Sequence, residues 1–461
     1  MSCWPWRAAL RILTPPGETF GGPSTCTPSE SGYPRSRLMN APVPQRRDAQ
    51  IAVAAAFLGF GATYGLNLAL SHVLEAHEYG DFSVARAFAF FCSSVVLLGG
   101  DRAAPRVLAR ALQHARFGAA WEYVRFYGAI GWAISAVLIA VVWALGYAHY
   151  GDWDPHAQHA VAIMALSIPL MATGALAGRT LQTTGHTVMA TMPWRVGAPA
   201  ALLLALGATY AVRGAVTLEE TLWLTCLSIG AIMVVQWVLV RRHALPAVRF
   251  ERAARQPRDW LALSVPMMSV FLITLGLGES DLYFLEWLGD EREVGHYAAA
   301  STTAHLVLTV QTSVVALYAA QLSRDLEEGT PSADAALRRG THAMAAVLAP
   351  LALVLLLGAS PILDLFGAGY RDAALPARLL VLGNAAWALA ALGALKLQFS
   401  GRSMAVLRLT VATLVLDSVL NAALIPSFGM VGAAASSAAT SAGAALVVAW
   451  MLRERTSPDP T

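Results

Sequence analysis

The sequence predicts an all-α, polytopic membrane protein of about twelve transmembrane helices, arranged in two six-helix lobes related by a parallel pseudo-two-fold repeat. Three observations predict it. First, 56% of the 461 residues are hydrophobic and only 13% are charged, with a mean hydropathy of +0.54, whereas soluble domains carry about 25% charged residues. Second, apolar segments long enough to cross about 30 Å of hydrocarbon recur along the chain. Third, short phrases are written twice. Leu181-Gln182-Thr183-Thr184-Gly185-His186-Thr187 returns as Leu397-Gln398-Phe399-Ser400-Gly401-Arg402-Ser403, 216 residues later. Tyr79-Gly80-Asp81 and Val294-Gly295-His296 repeat at an offset of 215. Two phrases at nearly one offset indicate a duplicated unit, which in a membrane protein is the usual mark of a transporter.

In chain order, residues 1–48 form an extension rich in Pro, Ser, Gly and Arg, expected to be disordered and without the apolar core of a signal peptide. Met39 is a candidate translation start. The first lobe is expected over 49–240, a basic linker over 241–259, the second lobe over 260–453 and a tail over 454–461. The expected spans are 50–74, 82–100, 126–147, 160–180, 187–211, 218–240, 260–288, 294–321, 342–366, 376–400, 403–426 and 430–452. Pro169, Pro193, Pro199, Pro266 and Pro350 fall inside them, as neighbouring membrane helices allow.

Arginine placement sets the orientation, because cytoplasmic loops carry the excess of Arg and Lys. Arg46 and Arg47 precede span one, and Arg102, Arg106, Arg110 and Arg116 follow span two. Arg241 to Arg258 follow span six, Arg324, Arg338 and Arg339 follow span eight, and Arg453 and Arg455 close the chain. The intervening loops are poor in arginine, with Arg213, Arg292, Arg371 and Arg378 as exceptions. Both termini are therefore expected in the cytoplasm. An even number of spans per lobe makes the repeat parallel. The phrase around Gly185 and Gly401 is expected as a tight turn at the cytoplasmic end.

Ionisable residues inside spans cost about 2.5–3.5 kcal/mol each on insertion scales and so need a role. Arg195 in span five and Arg408 in span eleven come within one helical turn of each other under the repeat offset. Two such cations suit a diphosphate, which guanidinium binds as a fork; the competing reading is snorkelling to headgroups. Arg86 is a second candidate anion contact or an interface anchor. Asn67 is a candidate polar contact that also reads as packing glue, as does Asn384. Lys396, the only lysine, reads as snorkelling. Glu279 and Asp281 in span seven point about 200° apart on a helix, so one is expected to couple to an ion and the other to pair or sit at an interface. Asp417, one turn before Asn421, is a third ion-coupling candidate or an interhelical bond. His149, Asp152, Asp154, His156 and His159 crowd one loop but match no metal-site spacing. Cys3, Cys26, Cys92 and Cys226 are scattered, so neither disulfide nor metal is expected. No nucleotide-binding phosphate loop is present.

Several of these residues fall into a familiar order. Tyr79-Gly80 precedes span two and Gly100-Asp101-Arg102 follows it. Arg195 sits in span five, and Asp281 is followed by Val294-Gly295-x-Tyr297. Then come Phe366-Gly367-Ala368-Gly369-Tyr370, Leu397-Gln398-x-x-Gly401-Arg402, and Leu420-Asn421-x-x-Leu424-Ile425-Pro426-x-Phe428-Gly429-x-x-Gly432-Ala433-Ala434. Over residues 48–453 this pattern resembles the bacterial polysaccharide (O-antigen type) flippases of the multidrug/oligosaccharidyl-lipid/polysaccharide exporter superfamily. The resemblance implies a non-enzymatic inner-membrane transporter with a central cavity. Its cargo would be an undecaprenyl-diphosphate-linked oligosaccharide, carried across by alternating access for lipopolysaccharide or exopolysaccharide synthesis. It further implies no bound cofactor, coupling to a proton or sodium gradient, and work beside a polysaccharide polymerase and chain-length machinery. No nucleic-acid partner is expected.

Rival readings share parts of this pattern. A drug or cation antiporter of the same superfamily would favour carboxylates in the first lobe, and spans one and two are expected to hold none. A peptidoglycan lipid-precursor flippase would often add spans beyond twelve. A sugar-permease-type facilitator would continue Asp101-Arg102 with a denser basic run. A polymerase or ligase enzyme would need a large outer loop, and all expected loops are short.

Overall fold

The computed structural model describes residues 46–113, 117–147, 155–245, 257–327, 332–367 and 369–453. The N-terminal extension, most of the basic linker, the C-terminal tail and the cluster at 149–154 lie outside the described residues. The helices are α1 (Arg46–Val73), α2 (Ala76–Val96), α3 (Gly100–Gln113), α4 (Phe117–Tyr147), α5 (Pro155–Ala165), α6 (Ile168–Thr183), α7 (Thr187–Met192), α8 (Ala198–Arg213), α9 (Leu218–Leu239), α10 (Pro257–Leu288), α11 (Glu291–Glu327), α12 (Ser332–Asp364), α13 (Ala374–Leu397) and α14 (Ser403–Arg453). No strand occurs among the described residues.

Among the described residues eight stretches are long and apolar enough to cross a membrane, and two bent pairs, α2 with α3 and α5 with α6, pass the same test together. The 84-residue stretch Tyr370–Arg453 breaks at Gly401 and Gly429, both with φ in the left-handed region. Counted as three passes, it brings the total to the expected twelve. Gly185, the counterpart of Gly401, has φ 86° against 83°. The doubled phrase is therefore the same glycine-closed turn in both lobes.

Local chemistry explains the boundaries. Glu75 starts α2 with a capping box, its backbone N–H donating to Glu78 Oε2 at 3.0 Å. Thr217 and Glu220 do the same for α9. Pro169 sits in the first turn of α6 and cannot continue α5, so that pair bends by 45°. Pro193 opens a π-helical turn, Pro193–Gly197, between α7 and α8.

Three expectations need correcting. The stretch after span two is a helix, α3, rather than a loop; its arginines lower its hydropathy while Ala103, Ala104, Leu108 and Leu112 are buried. Span two begins at Ala76, which places Asp81 inside α2, buried at 4% exposure, so the first lobe does hold an internal carboxylate. His156 and His159 belong to α5, not to a loop. Lys396, read as snorkelling, reaches the exposed carboxylate of Asp334 on α12. The four exceptional arginines are largely tied down: Arg213 pairs with Glu220, Arg371 lies 3.9 Å from Asp364, and Arg378 Nε donates to Leu356 O at 2.9 Å.

The first lobe packs α2 on α5, α6 on α3 and α9, and α1 on α8. In the second, α13 holds α11, α12 and α14, and α10 lies along α14. Between lobes, α11 crosses α1 and α2, and α10 runs along α2 and α3.

Candidate functional site

A polar network fills the second lobe where α10, α11 and α14 meet. Asp281 accepts from Tyr297 of α11 at 2.5 Å, from Asn421 Nδ2 at 2.8 Å and from Ser437. Asp417 accepts from Ser280 at 2.8 Å and from Asn421, Ser436 and Thr440, each at 3.1 Å. Asn421 thus bridges two carboxylates that lie 136 positions apart in sequence. Asp417, Asn421 and Ser436 are 0% exposed and Asp281 6%. The break at Gly429 makes this geometry: it folds the chain back so that Ser436, Ser437 and Thr440 return beside Asp417 and Asn421. Glu293 secures the break, its carboxylate accepting from Met430 N at 2.8 Å.

Among the described residues neither Asp281 nor Asp417 has a salt-bridge partner. Asn421 Oδ1 is buried and accepts no hydrogen bond. Two carboxylates, an unpaired carbonyl oxygen and several hydroxyls form an oxygen-only donor set, the kind that suits a hard cation. No group of three or more His, Cys, Asp or Glu among the described residues could hold a metal ion. A cation here would rest on two carboxylates and neutral oxygens.

A second polar surface lies on α11, the second-lobe helix that crosses α1 and α2 of the first. On α11, Ser301, His305, Thr309 and Thr312 repeat at helical spacing and keep accessible surface in mid-span. Polar residues on an exposed face of a membrane helix line a water-filled cavity rather than lipid. Across it, Arg86 of α2 stands 6.0 Å over the Phe82 ring, and its field reaches Glu279 of α10 and His305. Tyr64 and Tyr79 of the first lobe meet Thr303 and Thr302 of α11.

The structure thus separates the sequence candidates. Asp281 and Asp417 come together, while Glu279 turns to the inter-lobe space near Arg86. Asn67 is 1% exposed, donating to Thr63 O at 2.8 Å and accepting from Tyr79 at 3.0 Å; its amide is spent on packing α1 against α2. Arg195 lies exposed in the π-helical turn, where Gly59 of α1 packs on its Cβ. Arg408 is exposed on α14. Their elements pack within opposite lobes. Repeat arithmetic equated their depths but could not set the direction each faces. The sequence reading did not place Ser280, Tyr297, Ser436, Ser437, Thr440 or the α11 stripe in a site. The polar periodicity of 301, 305, 309 and 312 was the available signal.

No protein-family model and no curated protein matches the sequence. Solved structures do match. A MATE-family multidrug resistance transporter of the MOP superfamily, in its inward-facing conformation, aligns with TM-score 0.71 and 14% identity over 87% of this chain and 94% of that one. The fold is that of the MOP-superfamily transporters. The lipid II flippase MurJ, inward closed, aligns with TM-score 0.69 and 12% identity over 87% of both chains. A MOP transporter from Pyrococcus furiosus described for the reverse polarity of its binding pocket aligns at 0.66 and 13%, over 92% of this chain and 98% of its own. In this fold Arg86 and the α11 stripe lie on crossing helices of opposite lobes, and the Asp281–Asp417 network sits inside the second.

Proposed function

We propose that the chain is a flippase for a lipid-linked oligosaccharide, an undecaprenyl-diphosphate-linked glycan, moved between leaflets by alternating access of the two lobes. The observation that carries this reading is the hydroxyl-rich face of α11 opposite Arg86. Hydroxyls and an imidazole suit the many donors and acceptors of a sugar chain. A guanidinium suits a diphosphate. The lipid tail would stay in the bilayer, so no bond need break and only the polar head needs a passage. The residue pattern over 48–453 supports the glycan cargo and an inner-membrane location, and the arginine distribution supports cytoplasmic termini.

Within this proposal the energy comes from a proton or sodium ion taken at Asp281, Asp417 and Asn421. The network spans helices from both ends of the second lobe. Occupancy by one monovalent cation would halve the charge of two buried carboxylates that otherwise lack a cationic partner, and so favour one packing of α10 against α14 over another. Glu279 favours a second reading, export of a lipophilic cation, because it puts a carboxylate beside the same space; the buried Asp81 adds to it. A peptidoglycan precursor would meet the same groups as the glycan cargo.

The deciding experiment uses the full chain in proteoliposomes, with fluorescent undecaprenyl-diphosphate oligosaccharide and a membrane-impermeant quencher. Translocation is expected to need the protein and a sodium or proton gradient. Asp281→Asn and Asp417→Asn should remove the gradient dependence, and Arg86→Gln should raise the cargo concentration needed for half-maximal rate. No translocation, together with gradient-driven export of a lipophilic dye, would instead establish the antiporter reading.

A further inference from the structure

Helix α3 carries an arginine ladder that the transport cavity does not use. Arg102, Arg106 and Arg110 follow one another at four-residue spacing, and Ala103, Ala104, Leu108 and Leu112 are buried on the other side. The helix departs from α2 by 43° and runs along α10 of the second lobe. Arg102 lies flat on the Phe271 ring, 3.4 Å from its centroid, with Nε 3.0 Å from Asp101. One turn on, Arg106 Nη1 points at Met267 Sδ, 3.7 Å away. Both side chains therefore rest against α10.

The depth of the ladder follows from the arginine distribution. Cytoplasmic segments carry the excess of arginine, and α3 opens directly after α2 with three of them. The basic end of α10 lies on the same side, with Trp260 packed on Tyr123 and Ser264 bonded to Tyr127. Arg106 and Arg110 are both exposed and, among the described residues, without a carboxylate partner.

We propose that Arg106 and Arg110, backed by Arg102, bind the phosphate of an anionic phospholipid headgroup at the seam between α3 and α10. Charge complementarity and depth both point to this occupant. A basic amphipathic helix at the interface is drawn to anionic lipid, and guanidinium takes phosphate in a bidentate fork. Because Arg102 and Arg106 already touch α10, a lipid held there braces one lobe against the other. The site stands whether or not the cargo is a lipid-linked glycan.

The test is lipid retention by the purified full-length protein, read by native mass spectrometry, and its melting temperature in nanodiscs of phosphatidylglycerol or phosphatidylcholine. The protein should retain phosphatidylglycerol over phosphatidylcholine and melt higher in it. Arg106→Gln with Arg110→Gln should weaken retention about thirtyfold and erase the melting difference. Arg338→Gln with Arg339→Gln, which removes the same charge from another helix, should change neither. Equal loss in both double variants would reduce the effect to net charge and overturn the site. Retention of undecaprenyl diphosphate alone at Arg106 and Arg110 would also overturn it, by assigning the ladder to cargo.

Discussion

At the scale of single residues, the buried network predicts an order of costs. Asp417 gathers donors from Ser280, Asn421, Ser436 and Thr440. Ser436→Ala removes one donor from a carboxylate that keeps three others, a loss of about 1 kcal/mol. Asp417→Ala removes all four bonds at once; the donors fall back on Leu277 O, Asp281, the backbone O of residue 417 and Ser436 O, so the loss is about 1 kcal/mol for each bond broken. Thermal unfolding in detergent should therefore rank Asp417→Ala well below Ser436→Ala, and the reverse ranking would show that the carboxylate destabilises its own site. Asn421 sharpens the point. Its amide nitrogen serves both carboxylates while its oxygen accepts nothing. A side chain so buried keeps an idle acceptor only at a cost, and a bound cation would remove it.

At the scale of elements, the helices were legible because hydropathy over about 20 residues reports a span directly. Helix α3 was not, because its arginines cancel its apolar side in any such average. The pairing of Asp281 with Asp417 was not legible either, since it depends on the chain reversing at Gly429. Helix α10 joins the two parts of the fold. Toward the arginine-rich end, Trp260 packs 5.3 Å from the Tyr123 ring, Ser264 Oγ accepts from Tyr127 at 2.8 Å, and Phe271 lies under Arg102, all first-lobe partners. Toward the other end, Ser280 and Asp281 belong to the second-lobe network. Gly276 and Gly278 lie between, and an added Cβ would meet only Leu414 at 3.8 Å beside the first and nothing within 4 Å beside the second. Alanine at both positions therefore fits, and should raise helix stability by about 1 kcal/mol per site. If α10 bends during transport, Gly276→Ala with Gly278→Ala will raise the melting temperature and slow translocation. A higher melting temperature with unchanged rate would show that α10 moves as a rigid rod.

At the scale of the whole molecule, the duplicated phrase becomes a contact. Gly80 and Gly295, equivalent positions of the repeat, pack on each other where α2 crosses α11. A Cβ on Gly295 would fall 1.9 Å from Ala76 O, and one on Gly80 3.0 Å from Gly295 N. Only glycine allows backbones this close, so the crossing is a closed seam at the arginine-poor end. Tyr79 and Tyr370, with ring centroids 6.4 Å apart, and Tyr64 against Phe366 at 5.5 Å extend it. Alternating access requires this seam to part when the other end closes. The clash at Gly295 is with backbone and cannot be relieved by a rotamer change, so Gly295→Val must hold the lobes apart there. Spin labels at His77 and Glu291, which border one cleft beside the seam, should report a longer mean distance in Gly295→Val than in the parent chain, and translocation should fall with it. An unchanged distance in a folded Gly295→Val protein would mean that the contact yields locally and is not the gate.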